Sequence, residues 1–137
     1  MVFLTRVEHF NAAHKLHNPS WTAEKNMEVF GKCANENWHG HNYEMHVTIK
    51  GEPGEETGYV FNAKVLSKII NEQVLEKLDH KNLNLDVDFL KGRLTSSENL
   101  VISIWNELKP FIDAVGAQLH HIRIYETPRI YVDYYGE

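Results

Sequence analysis

His39 and His41 stand two positions apart in the stretch Gly31-Lys32-Cys33-Ala34-Asn35-Glu36-Asn37-Trp38-His39-Gly40-His41-Asn42-Tyr43, which also holds the only cysteine. Directly after it, Tyr43, Met45, Val47 and Ile49 alternate with Glu44, His46, Thr48 and Lys50, the period of a half-buried strand. Side chains at i and i+2 of a strand share a face, so the same register run backwards puts both histidines on the apolar side. Two imidazoles entering a dry region together call for a common partner, and a metal ion is the commonest one. Nine histidines in 137 residues make some close pair expected by chance. The neighbours set this pair apart: Gly40 between the rings suits a close backbone approach, and Cys33 lies just upstream across a turn-rich segment. Phe10-Asn11-Ala12-Ala13-His14 brings a third candidate imidazole after two small residues. His14, His39 and His41 would form a neutral nitrogen set with one coordination position left over, the arrangement of a catalytic zinc; Cys33 as a fourth ligand would close the site into a structural one. Both arrangements remain open at this stage.

Two acidic features lie elsewhere. Asp79-His80 falls at the expected end of a helix. Adjacent residues there are not expected to face each other, although a loop folding back would let the acid orient an imidazole; the plainer reading is a solvated pair favoured by the helix dipole. Glu126 has the parity of Ile122 and Ile124 in a strand-like run. A carboxylate on an apolar face has a partner or awaits a ligand with paired donors, such as the guanidine-like edge of a heterocycle; otherwise it rotates into water at the strand end.

The elements that must position these groups follow from periodicity. Residues 2–13 read as extended. Residues 15–32 read as mostly polar loop, with His17 a surface residue or a neighbour of the site. A strand runs from His39 to Lys50, and Gly51 to Gly58 is turn-rich. Asn62 is a helix N-cap, and Val65/Leu66, Ile69/Ile70, Val74 and Leu78 predict a helix over 63–78. Residues 81–94 read as a structured loop. Thr95-Ser96-Ser97-Glu98 has the form of a capping box before a second helix through Leu108, which Pro110 should end or kink. Strands follow at 119–126 and 130–135. The order ββααββ predicts an α+β fold: a four-stranded antiparallel sheet with two helices on one face. Such a sheet has two open edges, and joining subunits edge to edge would cover them.

The length predicts one domain over residues 1–137 with a real core. A net charge of −5 argues against nucleic-acid binding but not against a small anionic substrate in a locally positive pocket. No run of 18 apolar residues predicts a membrane span, and the N-terminus lacks a signal-peptide pattern. A lone cysteine cannot form an internal disulfide, and a reducing cytoplasm is the expected setting.

Taken together and in order, Phe10 to His14, Val29 to Cys33 with His39 to Tyr43, Leu78-Asp79-His80-Lys81-Asn82-Leu83, Ser97-Glu98-Asn99 and Tyr125-Glu126-Thr127 resemble the 6-pyruvoyl-tetrahydropterin synthase family over nearly the whole chain. The resemblance implies the tunnelling fold. In it, three subunits join their sheets into a twelve-stranded barrel and two trimers stack into a homohexamer, with active sites between subunits. It implies zinc on His14, His39 and His41, Cys33 as the catalytic base, Asp79 and His80 as the proton-transfer pair, and Glu126 as the anchor of the pterin ring. Ser96 and Ser97 fall where members carry threonines near the pterin. Trp38 departs from the small residue usual before the first of the paired histidines. The implied reaction is a lyase step on 7,8-dihydroneopterin triphosphate, giving 6-pyruvoyl-tetrahydropterin and triphosphate on the route to tetrahydrobiopterin. Lys15 and Lys32 are candidates for the triphosphate.

The nearest rival is 6-carboxytetrahydropterin synthase of the queuosine pathway, which takes the same substrate and releases acetaldehyde. Members of that branch commonly place three residues between the cysteine and the first paired histidine. Five stand here, Ala34 to Trp38, which favours the pyruvoyl product. A zinc-hydroxide hydrolase would suit three histidines equally but leaves Cys33 and Glu126 without a task. A binding module without catalysis leaves the base and relay residues unexplained.

Overall fold

The computed structural model describes residues 1–137. Its elements are β1 (Val2–His14), α1 (Ala23–Phe30), β2 (His39–Gly51), α2 (Ala63–Ile70), α3 (Glu76–Leu78), β3 (Lys81–Asn82), α4 (Ser97–Ala114), β4 (Gln118–Thr127) and β5 (Ile130–Tyr134). They form one sheet in the order β3-β1-β2-β4-β5. The expected α+β class holds, but the sheet has five strands rather than four and is mixed, because β3 runs parallel to β1 through Ala12↔Lys81 and Ala13↔Asn82. A strand of two residues carries no readable alternation, so the sequence signal for it is a loop.

β1 and β2 pair antiparallel from Val2↔Gly51 to His14↔His39 without a break. The alternation of each strand decides which face is dry. Phe10, Ala12 and His14 from β1, Tyr43, Met45, Val47 and Ile49 from β2, and Ile122 and Ile124 from β4 are buried on one face. Leu66 and Ile70 of α2 and Leu100, Ile104, Leu108 and Ile112 of α4 cover that face. Burying such an aliphatic side chain contributes about 2 kcal/mol. The opposite face is polar and aromatic: Arg123 donates to Asp133 at 2.8 and 3.0 Å, with its guanidinium 4.0 Å over Tyr131.

The helices depart from expectation in four places. Residues 23–30 are helical rather than loop; Thr22 caps α1 by accepting from the Lys25 N–H at 3.1 Å, and the helix ends at Gly31, whose φ of 57° suits glycine. α1 exposes Met27 and Val29 and buries only Asn26, so it has no apolar stripe to read. The helix expected over 63–78 forms, with a π-helical turn at Asn71–Leu75 joining α2 to α3. The α4 cap is Ser96, not Thr95: its hydroxyl accepts from the Asn99 N–H at 3.3 Å. α4 also passes through Pro110 to Ala114, held there by the fully buried Ile112. No helix is long and apolar enough to cross a membrane.

Candidate metal centre and its flanks

The β1–β2 register brings the histidines together. His14 and His39 are direct ladder partners, and His41 is two residues along β2 on the same face. One ring nitrogen from each of the three lies within 4.8 Å of the others, and the ring centroids are 4.6 to 5.1 Å apart. His14 Nε2, His39 Nδ1 and His41 Nε2 are buried without a hydrogen-bond partner. Buried polar atoms are nearly always satisfied, so an unpaired nitrogen on each of three rings packed this closely fits a metal ion.

The protein sets the protonation of the first ring. His14 Nδ1 lies 2.7 Å from the Thr95 carbonyl oxygen, which can only accept, so Nδ1 carries the proton and Nε2 keeps its lone pair. Burial lowers the pKa of His14, against the Thr95 bond that raises it. Burial also lowers the pKa of His41, opposed by the Glu126 charge. Both directions favour the neutral rings that metal ligation needs.

Thr95 is itself locked. Its hydroxyl donates toward the Lys15 carbonyl at 3.2 Å and Asn84 Oδ1 at 3.0 Å, while Asn84 holds the Lys15 main chain through its amide and carbonyl groups. This support escaped the sequence reading, because its members lie 11 to 81 residues apart and none has metal-ligand chemistry. Tyr43 escaped too. It is fully buried, stacked on Phe10, and its hydroxyl has no partner; burial, then the Glu126 charge, pushes its pKa up. Its place on the His39-His41 parity is the signal that points to it.

Glu126 borders the trio. β4 bulges against β5 between Tyr125 and Thr127, leaving Glu126 as the extra residue; a bulge re-aims a side chain. Its Oε1 is 3.5 Å from His41 Nε2, and its Oε2 accepts from the Ser97 hydroxyl. The two serines therefore differ: Ser97 touches Glu126, while the Ser96 hydroxyl is occupied as the α4 cap. Ser96→Ala is expected to cost about 1 kcal/mol of stability, and Ser97→Ala to weaken binding of a heterocycle at Glu126 with little change in melting temperature. Thermal melts and ligand titration of the two variants separate these effects.

Cys33 is half-buried and free, in the 3-10 turn Gly31–Ala34. Its carbonyl accepts from the Leu16 N–H at 2.7 Å, which pins that turn two residues past His14. The converging donor set is the three histidines without it. Asp79 and His80 do face each other, contrary to expectation: His80 has a φ of 60°, and its Nδ1 comes within 3.0 Å of Asp79 Oδ1. The same oxygen accepts from the Asn11 N–H at 2.9 Å, a bond that leads in holding the carboxyl below its usual range. The His80 side chain is 82% exposed, at the edge of the sheet and outside the trio.

The reading of Gly40 also changes. A Cβ on Gly40 would meet only the Ala12 carbonyl oxygen, at 3.4 Å, so close approach does not demand glycine there. The unusual backbone is next door: Trp38 has a φ of 68°, a conformation that costs a side-chain-bearing residue about 1–2 kcal/mol, and its ring lies under the Lys15 ammonium at 4.4 Å.

The fold is an α+β domain in which an antiparallel strand pair brings three imidazoles close enough to hold a metal ion. The model of one family, 6-pyruvoyl tetrahydropterin synthase, matches residues 3–137, and the chain belongs to that family. It is 43% identical over 136 residues to the 6-pyruvoyl tetrahydrobiopterin synthase of Dictyostelium discoideum, covering 99% of this chain and 97% of the relative. The solved 6-pyruvoyl tetrahydropterin synthase of Caenorhabditis elegans superposes with a TM-score of 0.93 at 38% identity, covering 99% and 96% of the two chains. The 6-carboxy-5,6,7,8-tetrahydropterin synthase of Bacillus subtilis is more distant, 25% identical over 136 residues, covering 96% of this chain and 83% of that one.

Proposed function

We propose that the chain is a zinc-dependent lyase that converts 7,8-dihydroneopterin triphosphate to 6-pyruvoyl-tetrahydropterin, releasing triphosphate, as a single domain in the cytoplasm. The observation that carries this reading is the set of three buried, partnerless imidazole nitrogens beside a carboxylate held by Ser97. The stronger similarity to pyruvoyl-forming than to carboxy-forming relatives supports the choice of product, as does the spacing from Cys33 to His39.

His14, His39 and His41 would hold the zinc, which acts when bound as a Lewis acid toward the substrate's hydroxylated side chain and acidifies its C–H bonds. Glu126 accepts two hydrogen bonds from the guanidine-like edge of the pterin, and its bond from Ser97 keeps the carboxylate oriented. Cys33, as thiolate, takes a proton from the side-chain carbon and returns it elsewhere. Asp79 orients His80 through Nδ1, leaving Nε2 to exchange the second proton. Hydrogen moved from side chain to ring reduces the ring without a nicotinamide, and triphosphate leaves from the adjacent carbon.

His80 lies outside the trio within one chain, which supports a site completed by a neighbouring copy. The free edges along β1 and β5 support the tunnelling-fold assembly: three sheets joined into a barrel, and two such trimers stacked. Mass analysis of the product from dihydroneopterin triphosphate tests the reaction. A pyruvoyl-pterin and free triphosphate are expected, and acetaldehyde release would transfer the chain to the carboxy-forming branch.

A further inference from the structure

We propose that Asn84 and Thr95 are positioning residues for the metal centre. Their side chains hold His14 in the orientation and tautomer that ligation needs, and so set the affinity of the trio for a divalent cation; this role rests on the trio being a metal site. β1 ends at His14, and the ladder from β3 stops one residue earlier, at Ala13, whose carbonyl also accepts from the Leu83 N–H at 2.8 Å. Past that point a side chain replaces the strand. Asn84 Oδ1 accepts from the Lys15 N–H at 3.1 Å, and Asn84 Nδ2 donates to the Lys15 carbonyl at 3.0 Å. The amide pairs both main-chain groups of the residue after His14, as a strand partner would. The Lys15 N–H can only donate and its carbonyl can only accept, so the amide has one workable orientation. Asn84 is held in turn, its own N–H donating to Asn82 Oδ1 at 2.9 Å.

Thr95, which is 1% exposed, closes the circuit. Its hydroxyl lies 3.0 Å from Asn84 Oδ1 and 3.2 Å from the Lys15 carbonyl, and its own carbonyl takes the His14 Nδ1 proton. His14, Lys15, Asn84 and Thr95 are thereby joined in one ring of bonds. Of the three imidazoles only His14 has a hydrogen bond to the protein; His41 has the Glu126 carboxylate at 3.5 Å. His14 is therefore the fixed member against which a metal would be held. A ring bonded in this way is a better base at its other nitrogen, and a ring already in place loses less freedom on binding. The segment that ends in Asn84 begins with the other pair of interest. Asp79 Oδ1 accepts from the Asn11 N–H at 2.9 Å, and the His80 N–H donates to the Asn11 carbonyl at 2.6 Å. Residues 79–84 are thus strapped along β1 from Asn11 to Lys15, with Asp79 and His80 at one end and the support of His14 at the other.

Zinc affinity of the full chain is measured by competition with a chelator. Thr95→Val, which keeps the shape and removes the hydroxyl, and Asn84→Ala are each expected to weaken zinc by about 10–100-fold, the scale of a lost outer partner of a ligand, whereas Thr95→Ser should stay within about threefold. Nitrogen NMR of the isotope-labelled, zinc-free protein supplies a readout that a merely structural pin would not move. His14 should be the Nδ1–H tautomer in the wild-type protein and in Thr95→Ser, and a mixture of tautomers in Thr95→Val. Wild-type zinc affinity in both Thr95→Val and Asn84→Ala would overturn the role. So would a Thr95→Ser variant as weak as Thr95→Val, since the hydroxyl would then not be what matters. If Asn84→Ala does not fold, the two Thr95 variants decide. A wild-type protein that takes up no zinc removes the metal-centre reading instead, and the tautomer comparison still decides whether Thr95 fixes His14.

Discussion

His39→Ala is expected to abolish metal binding and turnover together while leaving the sheet intact. His39 is the ladder partner of His14 and shares its face with His41, so its loss leaves two imidazoles where a catalytic centre needs three protein ligands. Metal content should fall from about one ion per chain to near zero, and activity by at least about a thousandfold, the scale of several kcal/mol of Lewis-acid stabilisation. The ladder itself is made of backbone bonds, so far-UV circular dichroism should not change. The stability effect has an instructive sign. Without metal, each orphaned buried nitrogen costs about 1–3 kcal/mol. The substitution removes one of them, so under chelation His39→Ala should melt no lower than the wild-type protein. With zinc at about a hundred times its dissociation constant, the wild-type protein should gain about 2.7 kcal/mol and the variant almost nothing. A variant that keeps stoichiometric metal, or a wild-type protein whose melting ignores zinc, would remove the centre from the account.

Cys33→Ala is expected to separate chemistry from metal binding. The thiol is not among the converging donors, so zinc content should stay at the wild-type level and neopterin should bind within about twofold. Turnover of dihydroneopterin triphosphate should fall by about 10²–10⁴, the usual contribution of a positioned base. A hydrolytic zinc enzyme would hardly notice the change, because its nucleophile is bound water. Loss of zinc in Cys33→Ala would instead make the sulfur a ligand and the site structural. Full activity with full zinc would take the base away from Cys33 and leave the proton transfers to His80 and the buried Tyr43.

The His39–His41 pair was legible because strand parity and chemistry agree over a short stretch: one alternation runs from His39 to Ile49, and it predicts their shared face; His14, on the neighbouring strand, was marked only by the small residues before it. Glu126 was legible for the same reason, since it keeps the parity of Ile124 even where β4 bulges. What escaped the sequence depends on contacts between distant segments or on elements too short to carry a period. α1 has no apolar stripe, so its cap at Thr22 was the only local sign of it. β3 is two residues long. The Thr95-Asn84-Lys15 lock joins a strand end, a loop and a helix approach, with no motif in any of them. The left-handed backbone at Trp38 and His80 left no trace either: tryptophan does not favour it, and histidine adopts it more readily than most residues but carries no local signal that it does so here. At His80 that backbone turns the ring onto Asp79, and the rule that neighbours point apart fails.

His14 and His39 sit opposite each other, so the polypeptide from Lys15 to Trp38 leaves and returns at a single point. Such an excursion behaves as an exchangeable cassette. Its ends are already clamped by the ladder, and doubling the length of a flexible loop adds only about 0.6 kcal/mol to the cost of closing it. The residues that grip a metal can stay still while evolution, or an engineer, swaps the insert that carries the thiol and the indole. Divergence of product among relatives would then be sought first in that insert, and transplanting it between branches is a cheaper route to new specificity than altering the sheet.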